Sequence, residues 1–413
     1  MSEIDFKQKT FDNGLTVIGE VNPAAKSAAV GFFVRTGARD EAAAINGVSH
    51  FLEHMLFKGT RTLSAAAVNQ AFDRTGAEFN AFTSEENTVY YAAVLPEYLG
   101  RITELWSELM SPALRDEDFS IEKNVIKEEI AMYKDLPSYD VADRCRSLHF
   151  EDHPCGKSVL GSEQTITELT AEAMRNYFHR RYLPNNMVVA CAGNFQWQPF
   201  LSTVREKCGN WPELPAGRQV TPAAGSGKKC HIEKPKLVRC HLCLMSGGVP
   251  AQDPRRFAAF LLAEIIGDEV GSRFFWELVD NALAEVATTH YEPMDGTGIL
   301  TSYISCGSEN LEKVQHVVRG VFDDLDRRGV TAPELEKARN KVLSAIVIKN
   351  ELPMGRLLDL GMNWTYLGCY RTVAEDVAAV KAVTVDDVNS LIQELKPGRF
   401  TQMALLPTAG GSQ

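Results

Sequence analysis

The sequence predicts an α+β protein of two homologous domains, each a mixed or antiparallel β-sheet packed with helices. Three observations carry this expectation. Apolar periods of two residues and of about 3.6 residues come in groups rather than in strict alternation, which disfavours a doubly wound parallel sheet. Residues 209–229, "GNWPELPAGRQVTPAAGSGKK", are rich in Pro, Gly and small polar residues, the composition of an interdomain linker. The order of elements before this stretch recurs loosely after it, which suggests duplication of one α+β unit. The expected boundaries are 1–208 for the first domain, 209–229 for the linker and 230–413 for the second domain.

The elements follow in order. "FDNGLTVIGEV" reads as a hairpin turned at Asn13-Gly14, and "SAAVGFFVRTGARDE" as a buried strand. Helical spacing runs from Ile45 to Phe57 and again through "SAAAVNQAFDRTGA". "EFNAFTSEENTVYYAAVL" returns to strand character, being rich in Thr, Val, Tyr and Phe. Helices resume at "YLGRITELWSELM", "DFSIEKNVIKEEIAMYKD" and "TAEAMRNYFHRRY", and the strand "NMVVACAGN" closes the first half. Beyond the linker come the strand "LVRCHLCLMSGG", the helix "RRFAAFLLAEIIG", the strand "GILTSYISCG", further helices and a last strand "RFTQMALLP".

At 413 residues the chain is too long for one ordinary core. A net charge of −11 without a basic stripe argues against a nucleic-acid partner. No segment approaches the roughly 20 apolar residues of a membrane span, and the N-terminus lacks signal or transit character. A cytoplasmic protein without a membrane partner is expected. Nine cysteines without repeated spacing read as reduced, mostly buried thiols rather than a disulfide framework.

Chemistry concentrates in "HFLEHMLF", residues 50–57. Imidazole and carboxylate groups are costly to bury unless the fold satisfies them. On a helix, His50 and His54 stand one turn apart on one face with Glu53 beside them. Two imidazoles so placed can grip one divalent ion, zinc being the usual choice for nitrogen ligands. The order H-x-x-E-H is that of the inverzincins, with Glu53 as general base on the zinc-bound water.

A catalytic zinc takes three protein ligands and leaves one position open. The helix "SIEKNVIKEEIAMYKD" offers the third. At about 100° per residue its apolar arc spans Ile121, Met132, Val125, Tyr133, Ile126 and Ile130, with Glu129 and Glu122 near the middle about 20° apart. Glu128 falls at the edge of the arc. Glu129 as ligand, with Glu122 supporting the ligand set, accounts for two acids in a core-facing stripe.

"HFLEHMLFKGT", with Glu129 in "EKNVIKEEI" 75 positions after His54, resembles the pitrilysin family of zinc peptidases. That family includes insulin-degrading enzyme and the mitochondrial processing peptidase. "LTVIGE", "GAEFNAFTSEENTVYY", "YLPNNMVVACAGN" and "GSRFF" extend the resemblance along most of the chain. It implies a short, two-domain member that pairs into a four-domain clamshell around a closed chamber. It also implies one Zn²⁺ per chain on His50, His54 and Glu129, Glu53 as base and Glu122 as accessory acid. The family's active-site edge strand falls on "NAFTS", residues 80–84, where a peptide would add by backbone hydrogen bonding at Asn80 and Ala81.

The family's second domain also supplies an Arg and, a dozen or so residues later, a Tyr to the substrate carbonyl region, so the resemblance implies a substrate-binding role for the Arg. Arg273 matches the Arg, but "ALAE" puts Glu285 where the Tyr is expected. A carboxylate cannot donate to a developing oxyanion unless protonated. The expected function is therefore a zinc metalloendopeptidase for short or unfolded polypeptides, acting as a homodimer or as the zinc-bearing half of a heterodimer with a related subunit. A non-catalytic peptide-binding or assembly subunit is the rival reading. "CHLC" at 240–243 lacks a second cysteine pair, and "GSGKK" at 225–229 lacks phosphate-loop spacing, so neither is assigned a site. "EDHPCGKSVLG", with His153, and the aromatics of "FFWEL" and "LGMNWTYLGCY" are read as structural.

Overall fold

Asn13-Gly14 turns the chain as its sequence demands. Strand β1 (Asp5–Thr10) pairs antiparallel with β2 (Thr16–Val21), Thr10 opposite Thr16. Gly14 sits at φ 82°, where a side chain would be strained and would meet Asn185 at 2.7 Å. The structure, a computed structural model, describes residues 4–214 and 216–408. The hairpin continues into a six-stranded sheet with β3 (Ala28–Val34), β4 (Glu78–Thr83), β5 (Thr88–Val94) and β6 (Met187–Gly193), in the order β1-β2-β6-β3-β5-β4. Only β2 and β6 run parallel, so the sheet is mixed. Every residue of β3 is buried, as a central strand covered on both faces requires.

The helices of the first half are α1 (Val48–Leu56), α2 (Ala65–Asp73), α3 (Leu99–Leu109), α4 (Asp116–Lys134), α5 (Pro137–Phe150), α6 (Glu163–Glu168), α7 (Ala171–Arg181) and α8 (Trp197–Cys208). The second half runs β7 (Lys229–Lys234), β8 (Cys240–Gly248), α9 (Arg256–Gly267), β9 (Val286–Met294), β10 (Thr297–Cys306), α10 (Leu311–Arg328), α11 (Ala332–Glu351), α12 (Pro353–Leu367), α13 (Val373–Ala382), α14 (Val385–Leu395) and β11 (Thr401–Pro407). Its sheet is ordered β7-β11-β8-β10-β9, with β7 and β11 parallel. With β1 set aside, the strands of both sheets, numbered along the chain, fall in the order 1-5-2-4-3 with the same parallel pair. The loose repeat read from the sequence is thus a repeat of topology.

The compact units are not contiguous in sequence. The first comprises Met1–Ala131, Lys157–Gln219 and Val347–Arg371; the second comprises Met132–Gly156, Val220–Ile346 and Thr372–Gln413. Helix α5, from the first half, therefore belongs with the second sheet, and α12, from the second half, with the first. Leu357 and Leu360 of α12 pack on Ala29, Phe33, Ala190 and Ala192. Gly361 lets the helix approach, because a Cβ there would lie 2.2 Å from the Phe33 ring. Beside it Arg356 and Tyr370 both reach the buried carboxylate of Glu20, at 2.8 and 2.7 Å.

In the second unit, Val141, Cys145 and Phe150 of α5 join Cys243, Met245 and Met403 in one core. The opposite face of the same sheet puts Cys240, Leu242 and Leu244 against Leu262 and Ile266 of α9. The two cysteines of "CHLC" thus point to opposite faces, as strand geometry expects, and each is a core thiol. "GSG" at 225–227 is a staple: Ser226 N–H donates to the His149 carbonyl, and Gly225 faces the His149 ring with no room for a Cβ.

Candidate metal centre

Helix α1 buries Phe51, Leu52, Met55 and Leu56 and turns His50, Glu53 and His54 to a neighbouring face. The two imidazole rings lie 4.7 Å apart. From α4, one carboxylate oxygen of Glu129 comes within 3.7 Å of His50 Nε2 and 3.4 Å of His54 Nε2. Around a tetrahedral ion with bonds of about 2 Å, two ligand atoms stand about 3.3 Å apart, so these separations suit a shared metal. That Glu129 oxygen is buried and has no hydrogen-bond partner among the described residues. An unsatisfied carboxylate oxygen facing two imidazole nitrogens is what a metal-ligand set looks like, and the three residues fit a divalent cation. Among the described residues this is the one such grouping of three His, Cys, Asp or Glu side chains.

Protonation follows from burial and neighbours. Burial, with His54 alongside, pushes His50 down to about 3, which keeps it in the neutral form that ligates metals. Burial opposes ionisation of Glu122, but hydrogen bonds from His54 and Lys58 outweigh it and hold that carboxyl below its ordinary value. His54 Nδ1 lies 2.7 Å from Glu122 Oε1, and Lys58 pairs with the other oxygen. Burial also disfavours the His54 cation, yet Glu122, Glu129 and Glu53 together hold its pKa up. Burial raises Glu53, although Thr83 Oγ1 donates to its Oε2 at 2.6 Å and works against the rise. A carboxylate raised from its ordinary value is better matched to moving protons near neutral pH.

Asn80 and Ala81 lie on β4, the edge of the first sheet, which pairs with β5 on one side only. Asn80 is exposed, and its side-chain oxygen accepts the Ala81 N–H at 2.8 Å. Thr83, on the same strand, ties this edge to Glu53. Arg273 lies in the second unit and is not free there: it donates to Glu334 at 2.7 Å, to Asp324 at 3.2 Å and to the Gly329 carbonyl at 2.7 Å. Glu285 pairs with Arg239.

The α4 arc needs correction. Ile121, Met132 and Val125 are 61%, 53% and 45% exposed, and the buried face is Phe119, Glu122, Ile126 and Ile130. Glu129 therefore borders the buried stripe instead of sitting at its centre. Periodicity shows that an apolar arc exists, not which part of it is covered. Thr83 and Lys58 carried no sequence signal beyond lying within or next to the motifs, and their roles come from the fold.

The second repeat does not carry this chemistry. Aligning Phe51-Leu52 of α1 with Phe260-Leu261 of α9 sets Ala259, Leu262 and Ala263 at the places of His50, Glu53 and His54. Aligning Leu136-Pro137 with Leu352-Pro353 sets Ala338 and Ala345 at those of Glu122 and Glu129.

Comparison with known proteins agrees with this division. The family model described as insulinase (peptidase family M16) matches residues 16–163, and that of the peptidase M16 inactive domain matches 168–342. An uncharacterized zinc protease of Bacillus subtilis, YmxG, is 32% identical over 98% of both chains. A protein of Mycobacterium tuberculosis with the same description is 33% identical over 97% of this chain and 93% of its own. Among solved structures, a protease from Helicobacter pylori shares the fold with a TM-score of 0.91 at 21% identity, over 98% of this chain and 100% of its own. A chain of complex III2 from Candida albicans shares it with a TM-score of 0.81 at 18% identity, over 97% and 95%. With both halves matched in order and relatives aligned along nearly its whole length, the chain belongs to the insulinase family of peptidases, family M16.

Proposed function

We propose that the chain is a zinc-dependent metalloendopeptidase acting on short or unfolded polypeptides. The observation that carries this is the convergence of His50, His54 and Glu129 on one point with the Glu53 carboxylate beside them on the same helix. The three would hold one Zn²⁺ per chain, since the repeat keeps none of the equivalent side chains. A bound zinc would polarise the scissile carbonyl and acidify a water. Glu53 is then the general base, taking the proton of the attacking water and delivering it to the leaving amine. Glu122 orients His54 through Nδ1. The free edge of β4, at Asn80 and Ala81, takes the substrate as an added strand, a mode that reads main chain more than side chains and suits unfolded polypeptides.

Arg273 has no part in this reading, because its donors serve Glu334, Asp324 and Gly329. Pairing with a second copy or a related subunit belongs to the same proposal, as does a cytoplasmic location. Among the described residues no helix is long and apolar enough to cross a membrane. The test is zinc content by elemental analysis together with hydrolysis of an unfolded polypeptide, in parent and Glu53→Gln protein. Stoichiometric zinc in both with hydrolysis only in the parent supports the proposal. Absence of zinc from the parent, or equal hydrolysis by the variant, defeats it.

A further inference from the structure

Helix α1 starts at Gly47, a residue with no side chain to cap the helix. None would fit: a Cβ on Gly47 would come 2.7 Å from the Leu160 carbonyl oxygen and 2.9 Å from Ile166 Cδ1, and the residue sits at φ 97°. The first N–H groups of a helix need acceptors, and α1 sets His50 within its first turn. The acceptor comes from six residues upstream of Gly47. Glu41 Oε2 takes the Gly47 N–H at 2.7 Å, and Oε1 takes the Ser49 N–H at 2.7 Å. The Asn46 side chain donates to Oε2 at 2.7 Å as well. Glu41 is itself only 3% exposed.

A buried acid is expensive, and simple capping elsewhere in this chain uses Ser or Thr. Ser64 caps α2, Thr170 caps α7 and Thr384 caps α14. What distinguishes α1 is its cargo. The residue after Ser49 is His50, and the Ser49 hydroxyl lies 2.9 Å from the Tyr177 hydroxyl, which in turn lies 2.7 Å from Thr36. Both the main chain and the side chain of the residue preceding the candidate ligand are thereby fixed. A carboxylate also offers two acceptor oxygens in one plane, which neither a hydroxyl nor an amide supplies. Burial pushes its carboxyl up to about 7, while the hydrogen bonds from Ser49, Asn46 and Gly47 favour its ionised form.

We propose that Glu41 is a positioning residue for the metal centre: as a detached cap it fixes the first turn of α1 and so aims His50 at His54 and Glu129. The assignment rests on the zinc reading of that site, and its effect is indirect, since Glu41 accepts the N–H groups of Gly47 and Ser49, upstream of His50, and does not touch the imidazole. An amide at this position keeps one acceptor and turns a donor toward the Gly47 N–H, so Glu41→Gln should loosen the turn without removing bulk.

The experiment uses the full chain, with zinc affinity measured by competition against a chromophoric chelator. Glu41→Gln is compared with Ser64→Ala, which removes the cap of α2 and serves as a control for general destabilisation. Support for the proposal is a loss of affinity of about 10- to 100-fold in Glu41→Gln, the range found when groups that orient ligands are removed, with Ser64→Ala within twofold of the parent. Parental affinity in Glu41→Gln, or an equal loss in both variants, overturns it. Hydrogen exchange of the metal-free proteins supplies a readout that needs no zinc. Glu41→Gln should speed exchange within residues 49–54 at least tenfold more than within α2, and unchanged exchange there overturns the proposal. If the parent itself takes up no zinc, the peptidase reading fails separately, and exchange alone decides whether Glu41 holds the turn.

Discussion

His54 stands between two acids, its Nδ1 held 2.7 Å from Glu122 while its Nε2 faces Glu129 at 3.4 Å. The first contact fixes the tautomer and ring plane that the second requires. Glu122→Ala should therefore lower zinc affinity about 10- to 100-fold while leaving all three ligands in place. Competition titration against a chelator measures this directly. Unchanged affinity would show that the contact is only a structural ion pair.

Glu53 should separate metal binding from hydrolysis. Glu53→Gln keeps the shape of the side chain and an acceptor for Thr83, so zinc uptake should match the parent. Hydrolysis should fall by about 10²- to 10⁴-fold, the usual contribution of a general base. Rates with an unfolded polypeptide, normalised to zinc content, are the measurement. A modest fall of a few-fold would remove Glu53 from the proton path.

Chelation supplies a test at the level of the ligands. Dialysis against a chelator should abolish hydrolysis, and one equivalent of zinc should restore it. In Glu129→Ala, which leaves only two imidazoles, restoration should need far more zinc. Full recovery of that variant with one equivalent would mean that the third ligand lies elsewhere.

Acid sensitivity should reside partly in the second unit. Burial, reinforced by Arg146, pushes His149 down to about 4 from an ordinary value of 6.5. Between these values the unfolded chain holds a proton that the folded chain refuses. The stability is thus fully present above pH 6.5 and is lost as pH falls toward 4, by roughly 3 kcal/mol in all. In His149→Gln the decline in stability between pH 7 and pH 4.5, measured from urea midpoints, should be smaller by about 2 kcal/mol. A parallel decline would place the sensitivity in other groups.

The seat of α12 can be tested by overpacking. Gly361→Ala drives a methyl group into the Phe33 ring, which would lie 2.2 Å from the new Cβ. Destabilisation of about 1–3 kcal/mol by chemical denaturation is expected. No loss would mean that Phe33 swings aside freely.

Much of the site was legible because its signals are local. His50, Glu53 and His54 share one helical turn, and Glu129 and Glu122 lie seven apart on another, so spacing alone put each set on a common face. Strand alternation likewise separated Cys240 from Cys243. What spacing could not supply was environment. Ile121, Val125 and Met132 satisfy the apolar period of α4 and yet face solvent, because a period marks a stripe without naming its cover. Glu41 follows Arg39 and Asp40 in a stretch without a motif, and only the bend that brings it back to Gly47 gives it a role. The exchange of α5 and α12 between sheets was equally invisible, since each helix carries an ordinary apolar face and nothing in that face says which sheet it meets.

That exchange gives the repeat without ligands a duty of its own. Helix α4 carries Glu129 near its C-terminal end, and only Asp135 and Leu136 separate that helix from α5, whose apolar face is seated in the second unit. The chain that follows Glu129 thus runs directly from the unit that holds His50 and His54 into the other one. Cut within residues 209–229, the first half would keep every residue of the candidate centre and leave α5 without the sheet it packs on. The second repeat does without the acids and imidazoles of the first, but α5 could not do without that repeat's sheet.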